Sequence, residues 1–121
     1  MSEKATILCV DDDPAVSYTM KLILGRAGYE VLLASDIPQA VAMVTEHAVD
    51  MVILDCLPNR TLLVQETRRL HPRAPMLLLT GDLDKSEETD LDGVLHKPVP
   101  PRELIQTISE WLERRRPANG K

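Results

Sequence analysis

The sequence lacks the features that mark membrane-inserted and exported proteins. No apolar run among its 121 residues approaches the ~20 that a membrane-spanning helix needs. The first ten residues, MSEKATILCV, contain neither the apolar core nor the cleavage site of a signal peptide. Only two cysteines are present, Cys9 and Cys56, and both lie within or beside apolar runs. We therefore expect reduced thiols, a cytoplasmic location and no contact with a membrane.

The sequence also lacks an excess of basic residues. Its net charge is −5 at pH 7 and its pI is about 5.1, values that argue against direct binding to nucleic acid. The negative charge is concentrated in the segment DLDKSEETDLD at residues 82–92, where six acidic residues and one lysine sum to −5. The rest of the chain is therefore balanced, and we expect this acidic segment to be a solvated part of the surface.

Five short apolar runs alternate with segments that have helical periodicity. None of the runs alternates polar with apolar residues, which is typical of parallel strands covered on both faces. Between the runs, apolar residues recur every three or four positions, most clearly in the segment that contains Trp111. This order predicts a single three-layer α/β domain over residues 1–121, with a frayed tail at residues 114–121. The runs occupy residues 7–10, 31–34, 51–54, 76–79 and, least distinctly, 94–96.

Polar side chains follow four of these runs, at the edge of the predicted sheet where binding and catalytic sites usually lie. Aspartates 11–13 follow the first run, Asp55 the third, Thr80 the fourth and Lys97 the fifth. Carboxylates at one edge repel each other unless a cation lies between them, and oxygen ligands at a shallow site suit Mg²⁺. Together with a hydroxyl and an ammonium group, they indicate phosphoryl chemistry in which a carboxylate accepts the group.

Several of these residues also have an ordinary structural explanation. Asp55 on its own would be expected to start a turn before Pro58. Only the other polar residues predicted at the same strand ends favour a chemical role for it. Asp13 is predicted to cap the helix that follows it. His96 precedes Lys97 on the same strand and therefore points to the other face, so we expect a packed or partly exposed histidine and not a proton relay.

Four motifs, ILCVDDDP, VILDCLP, LLLTG and HKP, occur in this order at the predicted strand ends. Together they resemble the receiver domain of bacterial two-component response regulators, and the resemblance covers nearly the whole chain. It implies a flavodoxin-like, doubly wound sheet of five parallel strands. It also implies a signalling domain rather than an enzyme, which takes a phosphoryl group from a sensor histidine kinase or phosphotransfer protein. The signal would then pass to a downstream protein target through protein–protein contacts.

The resemblance assigns a metal site and a phosphoryl site. Asp55 would be the phosphoacceptor and would bind Mg²⁺ together with Asp12, while Asp11 would act mainly through the waters of the ion. The backbone carbonyl of Leu57 would be a further metal ligand.

Three more residues receive roles at the phosphoryl group itself. Thr80 would donate a hydrogen bond to it, Gly81 would leave room for it, and Lys97 would pair with its negative charge. Pro98 would follow a cis peptide bond, which only X-Pro bonds adopt at low cost.

The chain departs from the family pattern in three places. The loop after Asp55 has one residue fewer before its proline and no glycine before the next helix. The interval between Thr80 and Lys97 is short, so we expect a truncated or irregular helix between the fourth and fifth strands. Val94 stands where the family commonly has tyrosine or phenylalanine, and the chain contains no phenylalanine.

These departures keep two alternatives open. A degenerate receiver would act as a binding module without phosphorylation, and the shortened loops favour that hypothesis. A Mg²⁺-dependent phosphatase of the haloacid-dehalogenase type would also use a strand-end aspartate as nucleophile. Such enzymes need a second aspartate two residues later as general acid, where this chain has Leu57.

Overall fold

The structure, a computed structural model, describes residues 4–55, 57–81 and 90–114. Within these ranges the chain forms five strands and four helices, and strands alternate with helices as the sequence predicts, except between the fourth and fifth strands, where residues 82–89 lie outside the described ranges. The elements are β1 (Thr6–Val10), α1 (Pro14–Arg26), β2 (Glu30–Ala34), α2 (Ile37–Glu46), β3 (Met51–Asp55), α3 (Thr61–Leu70), β4 (Met76–Thr80), β5 (Gly93–His96) and α4 (Pro101–Arg114).

Two of the helices begin at aspartate caps. The side chain of Asp13 accepts a hydrogen bond from the backbone N–H of Ala15 at 3.0 Å, and Pro14 suits the first turn of α1. Asp36 caps α2 in the same way through the N–H of Gln39, at 2.8 Å. The prediction that Asp13 is an N-cap is confirmed.

The sheet has the strand order β2-β1-β3-β4-β5, and all four pairings are parallel. This is the flavodoxin-like, doubly wound sheet that the resemblance implies. The strand order reverses between β1 and β3, which lie side by side. In such sheets, ligands bind in the crevice outside the carboxyl ends of the strands at this reversal.

Alternate residues of each strand enter two separate hydrophobic clusters. In β1, Leu8 and Val10 face the cluster shared with α2 and α3, whereas Ile7 and Cys9 face the cluster shared with α1 and α4. Helices therefore cover both faces of the sheet, as in a three-layer domain. Burial raises the pKa of the free Cys9 thiol to about 12, which is consistent with an inert, reduced cysteine.

In the described end of the acidic segment, Asp90 and Asp92 are exposed as expected, whereas Leu91 is not. Leu91 is buried in the core, where it packs with residues of α2 and α3. Asp90 accepts two hydrogen bonds from the guanidinium of Arg60, at 2.9 and 3.0 Å. Asp92 forms an ion pair with Arg68 at 3.0 Å and also accepts a hydrogen bond from a backbone N–H of β4. Arginines at the start and end of α3 thus neutralise this end of the segment.

Three of the predictions concern residues outside the described ranges. They are the shape of the segment at residues 82–89, where the truncated helix is expected, the state of Cys56, and the frayed tail beyond residue 114. Arg114 itself is the last residue of α4. No helix in the described ranges is long and apolar enough to cross a membrane.

Candidate functional site

The carboxyl ends of β1 and β3 bring three carboxylates together. Asp11 directly follows β1, and Asp55 is the last residue of β3, the neighbouring strand. One carboxylate oxygen each from Asp11, Asp12 and Asp55 lie within 4.8 Å of one another. Asp11 is buried, Asp12 is exposed and Asp55 is partly buried, so the cluster opens to solvent on one side.

The hydrogen bonds of Asp11 leave one of its oxygens available to a ligand. Its Oδ1 accepts a hydrogen bond from the backbone N–H of Asp13 at 2.9 Å. Its Oδ2 is buried and has no hydrogen-bond partner among the described residues. A buried carboxylate oxygen without a partner is costly, and a hard divalent cation would satisfy it. The cluster therefore fits Mg²⁺, which binds one or two protein carboxylates directly and can reach a further one through the waters that it keeps.

The surroundings of Asp11 disfavour the charged form of its carboxyl group. Burial raises its pKa above the usual value, and the negative charges of Asp55 and Asp12 add to this effect. The backbone N–H of Asp13 and the ammonium of Lys97 oppose it. The repulsion predicted from the sequence thus contributes to the raised pKa of Asp11, the buried member of the cluster.

Lys97 lies directly against the candidate acceptor. Its Nζ donates a hydrogen bond to Oδ1 of Asp55 at 2.9 Å, and this contact is the main reason why the pKa of Lys97 is raised. The peptide bond between Lys97 and Pro98 is cis, as the resemblance implied. The backbone N–H of Lys97 also donates to the carbonyl of Thr80 at 2.8 Å, which fixes the start of this loop to the end of β4.

Thr80 and Leu57 complete the set of predicted residues. Thr80 is buried at the end of β4, the strand next to β3, and Gly81 follows it at the surface. The N–H of Leu57 donates to the carbonyl of Asp55 at 2.7 Å, so the shortened loop folds back onto the strand end. The roles of Thr80 at the phosphoryl group and of the Leu57 carbonyl at the metal stay predictions.

One contact of the site was not predicted from the sequence. Ser17 is buried on α1, and its hydroxyl donates to the backbone carbonyl of Asp11 at 3.4 Å. A sequence signal for it exists, because Ser17 has helical spacing to Met20 and Leu24 on the buried face of α1. A polar residue in an otherwise apolar stripe indicates a buried polar contact.

Comparison with known sequences gives a family and a set of relatives. The model of the response regulator receiver domain family matches residues 7–109. The transcriptional regulatory protein AruR of Pseudomonas aeruginosa is 33% identical in an alignment that covers 94% of this chain and 52% of AruR. The phosphate regulon regulatory protein PhoB of the same organism is 29% identical, with 96% of this chain and 55% of PhoB covered. The chain thus spans about half the length of these relatives.

Solved structures show the same fold over whole chains. A CheY-like receiver domain protein from Methanospirillum hungatei is 30% identical with a TM-score of 0.81, covering 93% of this chain and 97% of that one. The response regulator TrrA from Thermotoga maritima, solved in complex with Mg²⁺ and BeF, is 26% identical with a TM-score of 0.77. Its alignment covers 88% of this chain and 98% of TrrA. Because the family match extends over most of the sequence and the fold agrees, the chain belongs to the response regulator receiver domain family.

Proposed function

We propose that Asp55 accepts a phosphoryl group in a Mg²⁺-dependent reaction, with a sensor histidine kinase or phosphotransfer protein as donor. The observation that carries this proposal is the arrangement at Asp55, whose carboxylate lies close to two further carboxylates and within 2.9 Å of the Lys97 ammonium. A carboxylate held in this way can act as a nucleophile toward phosphorus while the surrounding cations compensate the charge that develops.

The chemistry divides among residues of this chain. An oxygen of Asp55 would form a bond to phosphorus as the bond to the donor nitrogen breaks. Lys97 would turn from the carboxylate to the phosphoryl oxygens, and Thr80 would donate a hydrogen bond to them. Asp11, Asp12 and Asp55 would hold Mg²⁺, with the Leu57 carbonyl as a further ligand. The ion, when bound, neutralises negative charge on the carboxylates and the phosphoryl oxygens.

The test is phosphorylation in solution by phosphoramidate, a small donor whose P–N bond resembles that of phosphohistidine. Intact-mass spectrometry of the wild-type protein with Mg²⁺ should show the addition of one phosphoryl group. The addition should be absent without a divalent cation and absent in Asp55→Asn. Asp13→Asn is the matched control, because this aspartate is next to the cluster but serves as a helix cap. It should be phosphorylated like the wild type.

Three outcomes would reject the proposal in different ways. A wild-type mass that does not change under conditions that phosphorylate other receivers would favour the degenerate receiver. Phosphorylation of Asp55→Asn at the same rate as wild type would show that the acceptor lies elsewhere. Rapid release of inorganic phosphate from a phosphomonoester would favour the phosphatase alternative.

A further inference from the structure

A pocket of about 700 Å³ lies between the first turn of α2 and the loop that precedes α3. Its volume falls within the range of small-molecule sites in proteins, roughly 300–1,000 Å³. The exposed side chain of Leu62, with 53% of its surface accessible, forms part of its wall. We call it the α2/α3 pocket, and its apolar lining consists of Ile37, Pro38, Val41, Leu57, Pro58 and Leu62.

The shortened loop after Asp55 explains why this space is open. The loop has one residue fewer before its proline than the family pattern. Leu57, Pro58 and Asn59 of this loop form one side of the pocket, and Leu62 in the first turn of α3 extends it. A shorter connection covers less of the space between α2 and α3, so apolar side chains stay in contact with water. Burying them against an apolar ligand is therefore favourable.

Hydrogen bonds hold the loop side of the pocket in place. The N–H of Leu57 donates to the carbonyl of Asp55 at 2.7 Å. Asn59 has a left-handed backbone with φ of 61°, a conformation that asparagine adopts more readily than most residues. The guanidinium of Arg60 donates two hydrogen bonds to Asp90, at 2.9 and 3.0 Å. The loop is thus fixed both where it leaves β3 and where it enters α3.

A second set of hydrogen bonds fixes the opposite side, at the start of α2. The backbone N–H and the hydroxyl of Ser35 both donate to Oε1 of Gln39, at 2.7 and 2.9 Å. The N–H of Gln39 in turn donates to Asp36, the N-cap of α2, at 2.8 Å. Because both sides are fixed before a ligand arrives, binding requires little ordering of the protein.

Both charged residues among those described in the lining are acidic. Asp12 belongs to the cluster that fits Mg²⁺, so a bound ion would compensate its charge. Asp36 is not a member of that cluster. One of its oxygens serves the helix cap, and the other has neither a hydrogen bond nor an ion pair with any described residue. The pocket therefore favours a positively charged ligand over a negatively charged one.

The lining also restricts the kind of cation. None of the described lining residues is aromatic, whereas quaternary ammonium ions are recognised by aromatic side chains. Metal ions such as Mg²⁺ and Ca²⁺ need several oxygen ligands, and Asp36 supplies one carboxylate beside apolar walls. A protonated amine can be satisfied by one carboxylate and can carry an apolar body.

We propose that the α2/α3 pocket binds a small organic molecule with an apolar body and a protonated primary amine. The body contacts Val41, Leu57 and Leu62, and the ammonium group donates hydrogen bonds to Asp36. Mg²⁺ and this ligand use different carboxylates, so both bind at the same time. This inference goes beyond the proposed phosphoacceptor function and does not depend on it.

The first experiment maps binding by two-dimensional NMR of the ¹⁵N-labelled protein in excess Mg²⁺. The probe is 3-phenylpropylamine, and amide resonances of Ile37, Val41 and Leu62 should shift as it is added. We expect a Kd on the order of 1 mM, the usual affinity of a ligand with about ten non-hydrogen atoms.

Two further probes keep the apolar body and change the head group. In 3-phenylpropanol the head group is neutral, and in 3-phenylpropionate it is negative. The alcohol should bind about two- to fivefold more weakly than the amine, which is the effect of one solvent-exposed ion pair. The carboxylate should bind more weakly than the alcohol, because Asp36 repels it.

Asp36→Asn tests the origin of this preference. Asparagine caps a helix about as well as aspartate does, so the variant keeps the start of α2. It should bind the amine and the alcohol with equal affinity. Asp13→Asn is the matched control, because Asp13 is the N-cap of α1 and does not line the pocket. It should keep the preference of the wild type.

Leu62→Gln tests the apolar wall. It should weaken binding of all three probes by roughly threefold or more, because it removes apolar contact area. Leu22→Gln is the matched control, since Leu22 is an exposed leucine of α1 that does not line the pocket. It should bind the probes like the wild type. Circular dichroism of both variants verifies that they are folded.

Several outcomes would overturn the inference. They are an absence of shifts at probe concentrations about tenfold above the expected Kd, or shifts that centre on another groove, such as the one beside Leu22. An amine that binds no more tightly than the alcohol would reject the assigned ligand class. An unchanged preference in Asp36→Asn would place the ammonium group elsewhere. Asp55→Asn should bind the amine like the wild type, so failure of the phosphoacceptor proposal would leave this result unchanged.

Discussion

Lys97 neutralises Asp55 in the unphosphorylated protein. The two side chains are 2.9 Å apart, and the partly exposed Lys97 has a raised pKa mainly because of this contact. The raised pKa means that the pair stabilises the folded protein below the unfolded-state value of 10.5 and that this contribution is lost as the pH rises through the folded-state value. At neutral pH the ammonium is thus a permanent part of the site. It competes with any cation for the Asp55 carboxylate.

This competition gives a prediction for Lys97→Met, which removes the charge and keeps the length of the side chain. Mg²⁺ affinity, measured by isothermal titration calorimetry, should stay the same or increase severalfold, because a positive charge next to the carboxylates is gone. The rate of phosphorylation by phosphoramidate should fall by roughly 10²-fold, the usual effect of losing one group that stabilises developing charge.

Lys4→Met provides the control for this experiment, since Lys4 is an exposed residue that precedes the opposite end of β1. It should change neither quantity. A clear loss of Mg²⁺ affinity in Lys97→Met would mean that Lys97 organises the metal site rather than the phosphoryl site.

At the scale of elements, local signals in the sequence predicted most of the fold. The Asp13-Pro14 pair predicted the start of α1, and apolar runs predicted all five strands, because these features depend on residues close together in the chain. The contact between Asp55 and Lys97 joins residues 42 positions apart, so their direct pairing became visible only in the folded structure. The ion pairs of Arg60 and Arg68 with the acidic segment were missed for the same reason.

The packing of α4 on β5 depends on a glycine. A Cβ atom on Gly93 would be 2.8 Å from Cζ2 of Trp111 and 3.1 Å from Cδ2 of Leu77. The indole ring is rigid, so α4 would have to move. We expect Gly93→Ala to lower the free energy of unfolding by about 1–3 kcal/mol. We also expect a change in the fluorescence of Trp111, the single tryptophan of the sequence.

Gly81→Ala is the matched control for this packing argument, because a Cβ atom there has no neighbour within 4 Å. Its urea denaturation midpoint should remain close to that of the wild type. If both variants lose the same stability, the loss at Gly93 reflects the backbone and not contact with Trp111.

At the scale of the whole molecule, the carboxylate cluster makes stability depend on pH and on divalent cations. Because burial raises the folded-state pKa of Asp11, the folded protein binds this proton more tightly than the unfolded chain does. In metal-free solution, this residue therefore makes stability fall as the pH rises from the unfolded-state value of 3.8 through the raised value. Above this pH window, the charged carboxylate lowers the free energy of unfolding by its full amount. A bound cation offsets this loss, so the same buried charge that destabilises the metal-free protein also favours binding of the metal.

Asp11→Asn separates these two effects. In metal-free solution at pH 7, the variant should be more stable than the wild type by roughly 1 kcal/mol, since it removes a buried charge that two other carboxylates repel. Mg²⁺ at about ten times its dissociation constant should stabilise the wild type by roughly 1.4 kcal/mol and the variant by much less. Thermal denaturation with and without Mg²⁺ measures both changes.

Glu46→Gln, at the exposed end of α2, is the control and should respond to Mg²⁺ like the wild type. A metal-free Asp11→Asn protein that is less stable than the wild type would show that the Asp11 carboxylate holds the fold together through its bond to Asp13, and that its charge is not a cost.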